Sequence, residues 1–163
     1  MRLSYKLLLG LYLSVLLWLL LFKFSYDIVS VIEHHQARSV NLIPFAGLSS
    51  GNAREMIENV IVFIPLGLLF SINIRSLSFW YKLGVISLIS LAVETFQFIL
   101  GIGITDVTDL ITNMVGGLIG LALYNLAGKY VSEKVLHRCA AGIIFILLAA
   151  VLFLRFFVVR VRY

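Results

Sequence analysis

A single cysteine, Cys139, excludes an intramolecular disulfide and a thiolate metal cluster, and apolar filling is its expected role. Charge is scarce as well: 13% of the residues are Asp, Glu, Lys or Arg, against about 25% in ordinary soluble domains. Long polar stretches are few, so once several membrane spans are threaded almost no sequence is left for a soluble domain. The net charge of +5 does not mark a nucleic-acid surface, because the lysines and arginines are scattered between apolar runs instead of clustering on one face. There is no internal repeat and no low-complexity tail.

What fills the chain is apolar sequence: 61% hydrophobic residues and a mean hydropathy of +1.06. A helix needs about 20 apolar residues to cross a hydrocarbon core of about 30 Å. The runs predict an all-α, polytopic transmembrane bundle forming one domain over residues 1–163, with five spans at about 7–22, 56–74, 83–100, 107–126 and 139–159. The alternative is four spans plus an interfacial or re-entrant last segment, because Arg155 interrupts the fifth run and Arg160 and Arg162 follow it. Arg2 and Lys6 precede the first run, but Lys23, Phe24 and Ser25 follow it instead of an A-x-A site, so it reads as a retained anchor.

Asn52 with Glu55 three residues on signals the start of the second helix. Pro65 and Gly67 lie inside that helix, where neighbours in a membrane bundle can satisfy a freed carbonyl. Thr105 or Asp106 is placed to cap the fourth helix. Cytoplasmic connections should carry the Lys/Arg excess. With the N-terminus cytoplasmic, the inner segments hold Arg2, Lys6, Arg75, Lys82, Lys129, Lys134 and Arg138, while the connection before Asp106 holds no Lys or Arg.

That orientation gathers the acids at the outer face. Glu94 and Gln97 fall in the outer half of the third span, Asp106, Asp109 and Asn113 in the first turns of the fourth, and Glu55, Glu58 and Asn59 at the top of the second. Glu94 and Gln97 are i,i+3, and Asp106, Asp109 and Asn113 are i,i+3 and i,i+4, so each set shares a helix face. Ionisable residues inside a membrane are costly and are functional candidates by default. Arg155, in the outer half of the last span, is a candidate partner for one of these carboxylates. Against the functional reading stand structural ones: Asp106 as an N-cap, Asp109 as a first-turn acid, Asn59 and Asn113 as interhelical glue. Gly116 and Gly120, spaced G-x-x-x-G, predict close helix approach, and His34 and His35 read as solvated loop residues.

The same residues resemble the VanZ family. Its first signature is matched by Asn41 to Phe45 followed by Arg54 to Gly67, including Glu55, Asn59 and Pro65. The second is matched by Glu94, Gln97, Asp106, Asp109, Asn113, Gly116, Gly117 and Gly120. Many members carry an arginine shortly before the first aspartate of the second signature, where this chain has Gly103 and Ile104. The resemblance implies a bacterial plasma-membrane protein conferring resistance to glycopeptide antibiotics, especially lipid-tailed teicoplanin, with no established catalytic chemistry.

Two classes of function follow. One is a non-catalytic protein whose outer polar pocket, with Asn41, Glu55, Asn59, Glu94, Gln97, Asp106, Asp109, Asn113 and Arg155 as candidate ligand-binding residues, binds or redistributes a lipid-linked ligand. The expected partners are membrane lipids, a lipoglycopeptide antibiotic or a lipid-linked cell-wall precursor, and no nucleic acid. The other is an intramembrane enzyme acting on an envelope lipid or glycan. Glu94, Asp106 and Asp109 would then be acid/base groups or oxygen ligands to a divalent cation such as Mg²⁺. No other cofactor is expected.

Overall fold

The computed structural model describes residues 2–21, 40–45, 50–100 and 105–153, which form five helices, short turns and one two-residue parallel bridge. The helices are α1 (Arg2–Leu21), α2 (Ser50–Asn73), α3 (Phe79–Leu100), α4 (Val107–Ala127) and α5 (Glu133–Phe153). Strands β1 (Val40–Asn41) and β2 (Thr105–Asp106) pair in parallel, Val40 with Thr105 and Asn41 with Asp106.

Helices outrun the apolar runs that mark them, because polar caps and not hydropathy set their ends. The Ser78 hydroxyl accepts from the Tyr81 N–H at 3.3 Å, so α3 starts at Phe79, four residues before the apolar run proper. Four helices, α1 to α4, contain windows long and apolar enough to cross a membrane. The expected fifth span, about 139–159, is not supported. The first turns of α5 carry Glu133, Lys134, His137 and Arg138, so the described helix opens on charged residues ahead of the apolar stretch from Cys139 to Phe153. Residues 154–159, with Arg155, lie outside the described residues, as do His34 and His35.

The central helix is α2. Half of its apolar window is buried, against 22–33% for the other three, and it touches every other helix. The fully buried side chains Phe63, Leu66 and Leu69 of α2 meet Leu16 of α1, Ile86 of α3, Leu121 of α4 and Ile144 of α5. Outward faces are also apolar: Leu88, Phe96, Ile57, Phe145 and Ile146 are each more than half exposed. A water-facing surface does not carry such belts, whereas a lipid-facing one requires them.

Closest of all is the approach of α4 to α2. A Cβ on Gly116 would fall on the Val60 carbonyl oxygen, one on Gly120 on the Ile64 carbonyl oxygen, and one on Gly67 on the Gly117 carbonyl oxygen. The G-x-x-x-G spacing thus allows backbone to meet backbone, as expected from the sequence, and Gly67 on the facing helix completes it. This contact fixes how the polar ends of α2 and α4 face each other.

Candidate functional site

At the end of the bundle where α2 begins and α3 ends, a cavity of about 300 Å³ is lined from four helices. The start of α2 contributes Glu55, Glu58 and Asn59, one helix face by their spacing. Glu94 and Gln97 come from α3, Asp109 and Asn113 from α4, with Leu20 and Val93 as the apolar floor. Arg54 is the one cation lining it among the described residues, and it pairs at the rim with Glu58 at 2.7 Å.

Asp106 does not line this cavity. It is the N-cap of α4, with extended backbone (φ −122°), and its Oδ1 accepts from the Thr108 N–H at 2.7 Å. Its N–H donates to Glu94 Oε2 at 3.2 Å, while the Thr105 hydroxyl donates to the Glu94 carbonyl oxygen at 3.2 Å, so the β2 segment pins Glu94 from above. Asn41 reaches the cluster through the same residue: its Nδ2 donates to Asp106 Oδ2 at 3.0 Å, and its Oδ1 accepts from the Ile43 N–H at 3.2 Å. The turn then brings Phe45, at φ 58°, to donate its N–H to the Thr108 hydroxyl at 3.1 Å. A non-glycine residue in the left-handed region costs on the order of 1 kcal/mol, so the surrounding bonds hold this segment over the start of α4.

Below that roof the amides are fixed by protein partners. Asn59 Nδ2 donates to Asp109 Oδ1 at 2.8 Å, Asn113 Nδ2 to Ser90 Oγ at 2.9 Å and Gln97 Nε2 to the Leu20 carbonyl oxygen at 2.8 Å. All five of Asn59, Glu94, Gln97, Asp109 and Asn113 are buried. Two of their oxygens, Gln97 Oε1 and Asn113 Oδ1, are buried and accept no hydrogen bond among the described residues. Such an orphaned acceptor costs about 1–3 kcal/mol, which a ligand that donates would recover. Four carboxylates, two orphaned amide oxygens and one guanidinium make the site rich in acceptors.

Replacing Asn59 with Leu is expected to lower stability by about 1–3 kcal/mol, because the Asp109 carboxylate loses a buried donor. Unfolding of the full chain by titration of a denaturing detergent into mild micelles would measure it, and an unchanged midpoint would assign the bond no weight.

Among the described residues no group of three or more His, Cys, Asp or Glu side chains is placed to hold a metal ion. The candidate set Glu94, Asp106 and Asp109 separates into a cap over the pocket and two carboxylates within it. Ser90 and Thr108, which anchor Asn113 and Phe45, were not legible as part of the site, since a lone hydroxyl in an apolar helix carries no spacing signal.

A second polar cluster, missed in the sequence, lies at the opposite end. Arg75 pairs with Glu133 at 2.7 Å, and buried His137 has its Nε2 2.7 Å from the Tyr124 hydroxyl and stands edge-on to Tyr5. Burial, then the Arg75 charge, push the His137 pKa below the usual histidine value, with Glu133 opposing. The imidazole is therefore neutral at pH 7. Between the two ends α2 presents Phe63, Leu66 and Leu69, fully buried, which leaves an apolar layer separating Asn59 from Ile72.

The family model VanZ/LLP1 matches residues 9–128, which takes in α2 to α4, most of α1 and every pocket residue named above. Protein VanZ of Enterococcus faecium is 49% identical over 148 residues, covering 91% of this chain and 90% of that protein. No solved structure matches the chain. A family match over most of the chain, with a relative this similar along nearly its whole length, establishes that the chain belongs to the VanZ family.

Proposed function

We propose that this protein confers resistance to lipid-tailed glycopeptide antibiotics of the teicoplanin type, by holding an envelope ligand in the acceptor-rich pocket at the outer membrane face. Family membership supports the resistance role. The chemistry of the ligand follows from one observation: Gln97 Oε1 and Asn113 Oδ1 are buried without a donor beside the carboxylates of Glu94 and Asp109. A group bearing hydroxyls, amide N–H or ammonium donates to these two oxygens, and both a lipoglycopeptide and a lipid-linked cell-wall precursor carry such groups. Binding by donors and shape needs no covalent step.

The protein resides, in this reading, in the plasma membrane of a bacterium as a multi-pass protein with a cytoplasmic N-terminus. Lys6, Arg75, Lys82, Lys129, Lys134 and Arg138 support that orientation, since the Lys/Arg excess belongs to the cytoplasmic side. The acidic pocket then opens toward the outer leaflet, where the antibiotic and the lipid-linked precursors are found. A transport role draws no support, because the layer of Phe63, Leu66 and Leu69 offers no polar route between the ends.

The test is susceptibility of a sensitive Gram-positive host expressing the wild type, Glu94→Gln or Asp109→Asn, with membrane levels of each compared. Both substitutions keep an oxygen for the existing bonds from Asp106 N–H and Asn59 Nδ2. The wild type is expected to protect against teicoplanin more than vancomycin. Each substitution should remove most of that protection at equal protein level. Full protection by both variants would sink the pocket as the acting site.

A further inference from the structure

At the Lys/Arg-rich end, a cavity of about 510 Å³ opens between the first turns of α1, the end of α2 and the first turns of α5. Lys6, Arg75 and Lys134 line it against a single acid, Glu133. Arg75 is held in place, its Nη1 on Glu133 and its Nη2 at 3.3 Å from His137, and neutral His137 adds no charge of its own. The cavity therefore carries a net positive charge on a braced frame, at the level where helix ends meet the headgroup region.

The same three helices form a second, apolar cavity of about 60 Å³, lined by Tyr12, Leu16, Val62, Pro65, Leu147 and neighbours. Leu16 follows Lys6 by ten residues, Val62 precedes Ile72 by ten, and Leu147 follows His137 by ten. At 1.5 Å per residue each offset is about 15 Å. The directions agree as well: Asn73 Nδ2 donates to the Tyr5 carbonyl oxygen and the Tyr12 hydroxyl to the Val62 carbonyl oxygen, so α1 and α2 run antiparallel along this seam. A cationic pocket and an apolar groove thus lie in line along the seam, with the groove nearer the bilayer centre.

We propose that the α1/α2/α5 seam binds one anionic phospholipid, its phosphate among Lys6, Arg75 and Lys134 and an acyl chain along the groove. Basic pockets between transmembrane helices recognise anionic headgroups in this way. The site is separate from the outer pocket, and α5, which supplies one wall, lies beyond the family match at residue 128. The lipid would brace a helix that otherwise touches the bundle lightly through α1 and α2.

Native mass spectrometry of the full chain in neutral detergent tests this, with phosphatidylglycerol, phosphatidylcholine and inorganic phosphate offered separately. Phosphatidylglycerol should be retained about tenfold or more over phosphatidylcholine, and the double variant Lys6→Ala, Lys134→Ala should lose that preference, while Lys6→Arg, Lys134→Arg keeps it. Leu147→Trp, at a part-exposed position on the groove, should weaken phosphatidylglycerol retention severalfold with an unchanged unfolding midpoint. Equal retention of the two lipids, or a preference that survives removal of both lysines, overturns the proposal. Inorganic phosphate binding as tightly as the lipid overturns it too, by assigning the pocket to a soluble anion.

Discussion

Replacing Gly120 with alanine is expected to cost about 3 kcal/mol, the upper end of what overpacking a close-packed interface does. The added methyl would fall on the Ile64 carbonyl oxygen and within 3.0 Å of Gly67 Cα, and neither can turn aside as a side-chain tip would. Room for it comes only by moving α4 off α2, which loosens the pocket as well as the core, because Asn59 and Asp109 sit on those two helices. Gly67→Ala should behave alike, since its methyl would meet the Gly117 carbonyl oxygen. Internal controls exist. A Cβ on Gly84 or Gly142 meets nothing within 4 Å, so alanine there should be neutral or stabilising by up to about 1 kcal/mol through helix propensity. Detergent-titrated unfolding of the four variants in parallel separates the readings: equal midpoints would show that the α2–α4 contact yields easily.

Asp106→Ala is the second substitution with a large expected effect, about 3 kcal/mol. Loss of the α4 N-cap accounts for about 1 kcal/mol and loss of the charge-assisted bond from Asn41 for about 1.5–3 kcal/mol, since one carboxylate serves both. Asp106→Asn keeps an oxygen for Thr108 N–H but sets an amide donor against Asn41 Nδ2. Its loss should therefore be smaller and confined to the Asn41 bond. A double-mutant cycle with Asn41→Ala checks this, with an expected coupling of about 1.5–3 kcal/mol. A coupling near zero would mean that the parallel bridge, not the side chains, holds the roof.

Much of this architecture was legible before any coordinates. Four of the five expected spans coincide with α1 to α4, because an uncharged run of sufficient length leaves a helix in lipid few alternatives. Glu94 with Gln97 and Asp109 with Asn113 do share buried faces, since i,i+3 and i,i+4 spacing fixes azimuth on a helix whatever its partners. Asp106 illustrates the limit of the same rule: as a cap it has extended backbone, so helical spacing no longer governs where its side chain points. The fifth span is not supported among the described residues: Glu133 to Arg138, read from the sequence as a loop, form the charged first turns of α5. Contacts distant along the chain were not legible at all. Nothing local in Arg75 announces Glu133, 58 residues away, and nothing in Gly120 names Gly67 as the surface it meets.

Because Val40 and Asn41 pair in parallel with Thr105 and Asp106, a nascent chain cannot complete the roof over the pocket until residue 106 has followed two helices, α2 and α3. The Asn41–Asp106 bond closes a loop of 65 residues, a contact whose entropic cost is met only after the local helices exist. The segment over the start of α4 can therefore lock only after α2, α3 and the start of α4 have been made. Until that lock forms Glu94 lacks the N–H from Asp106, so a ribosome-stalled chain ending before α4 should be the stage most open to membrane quality-control proteases.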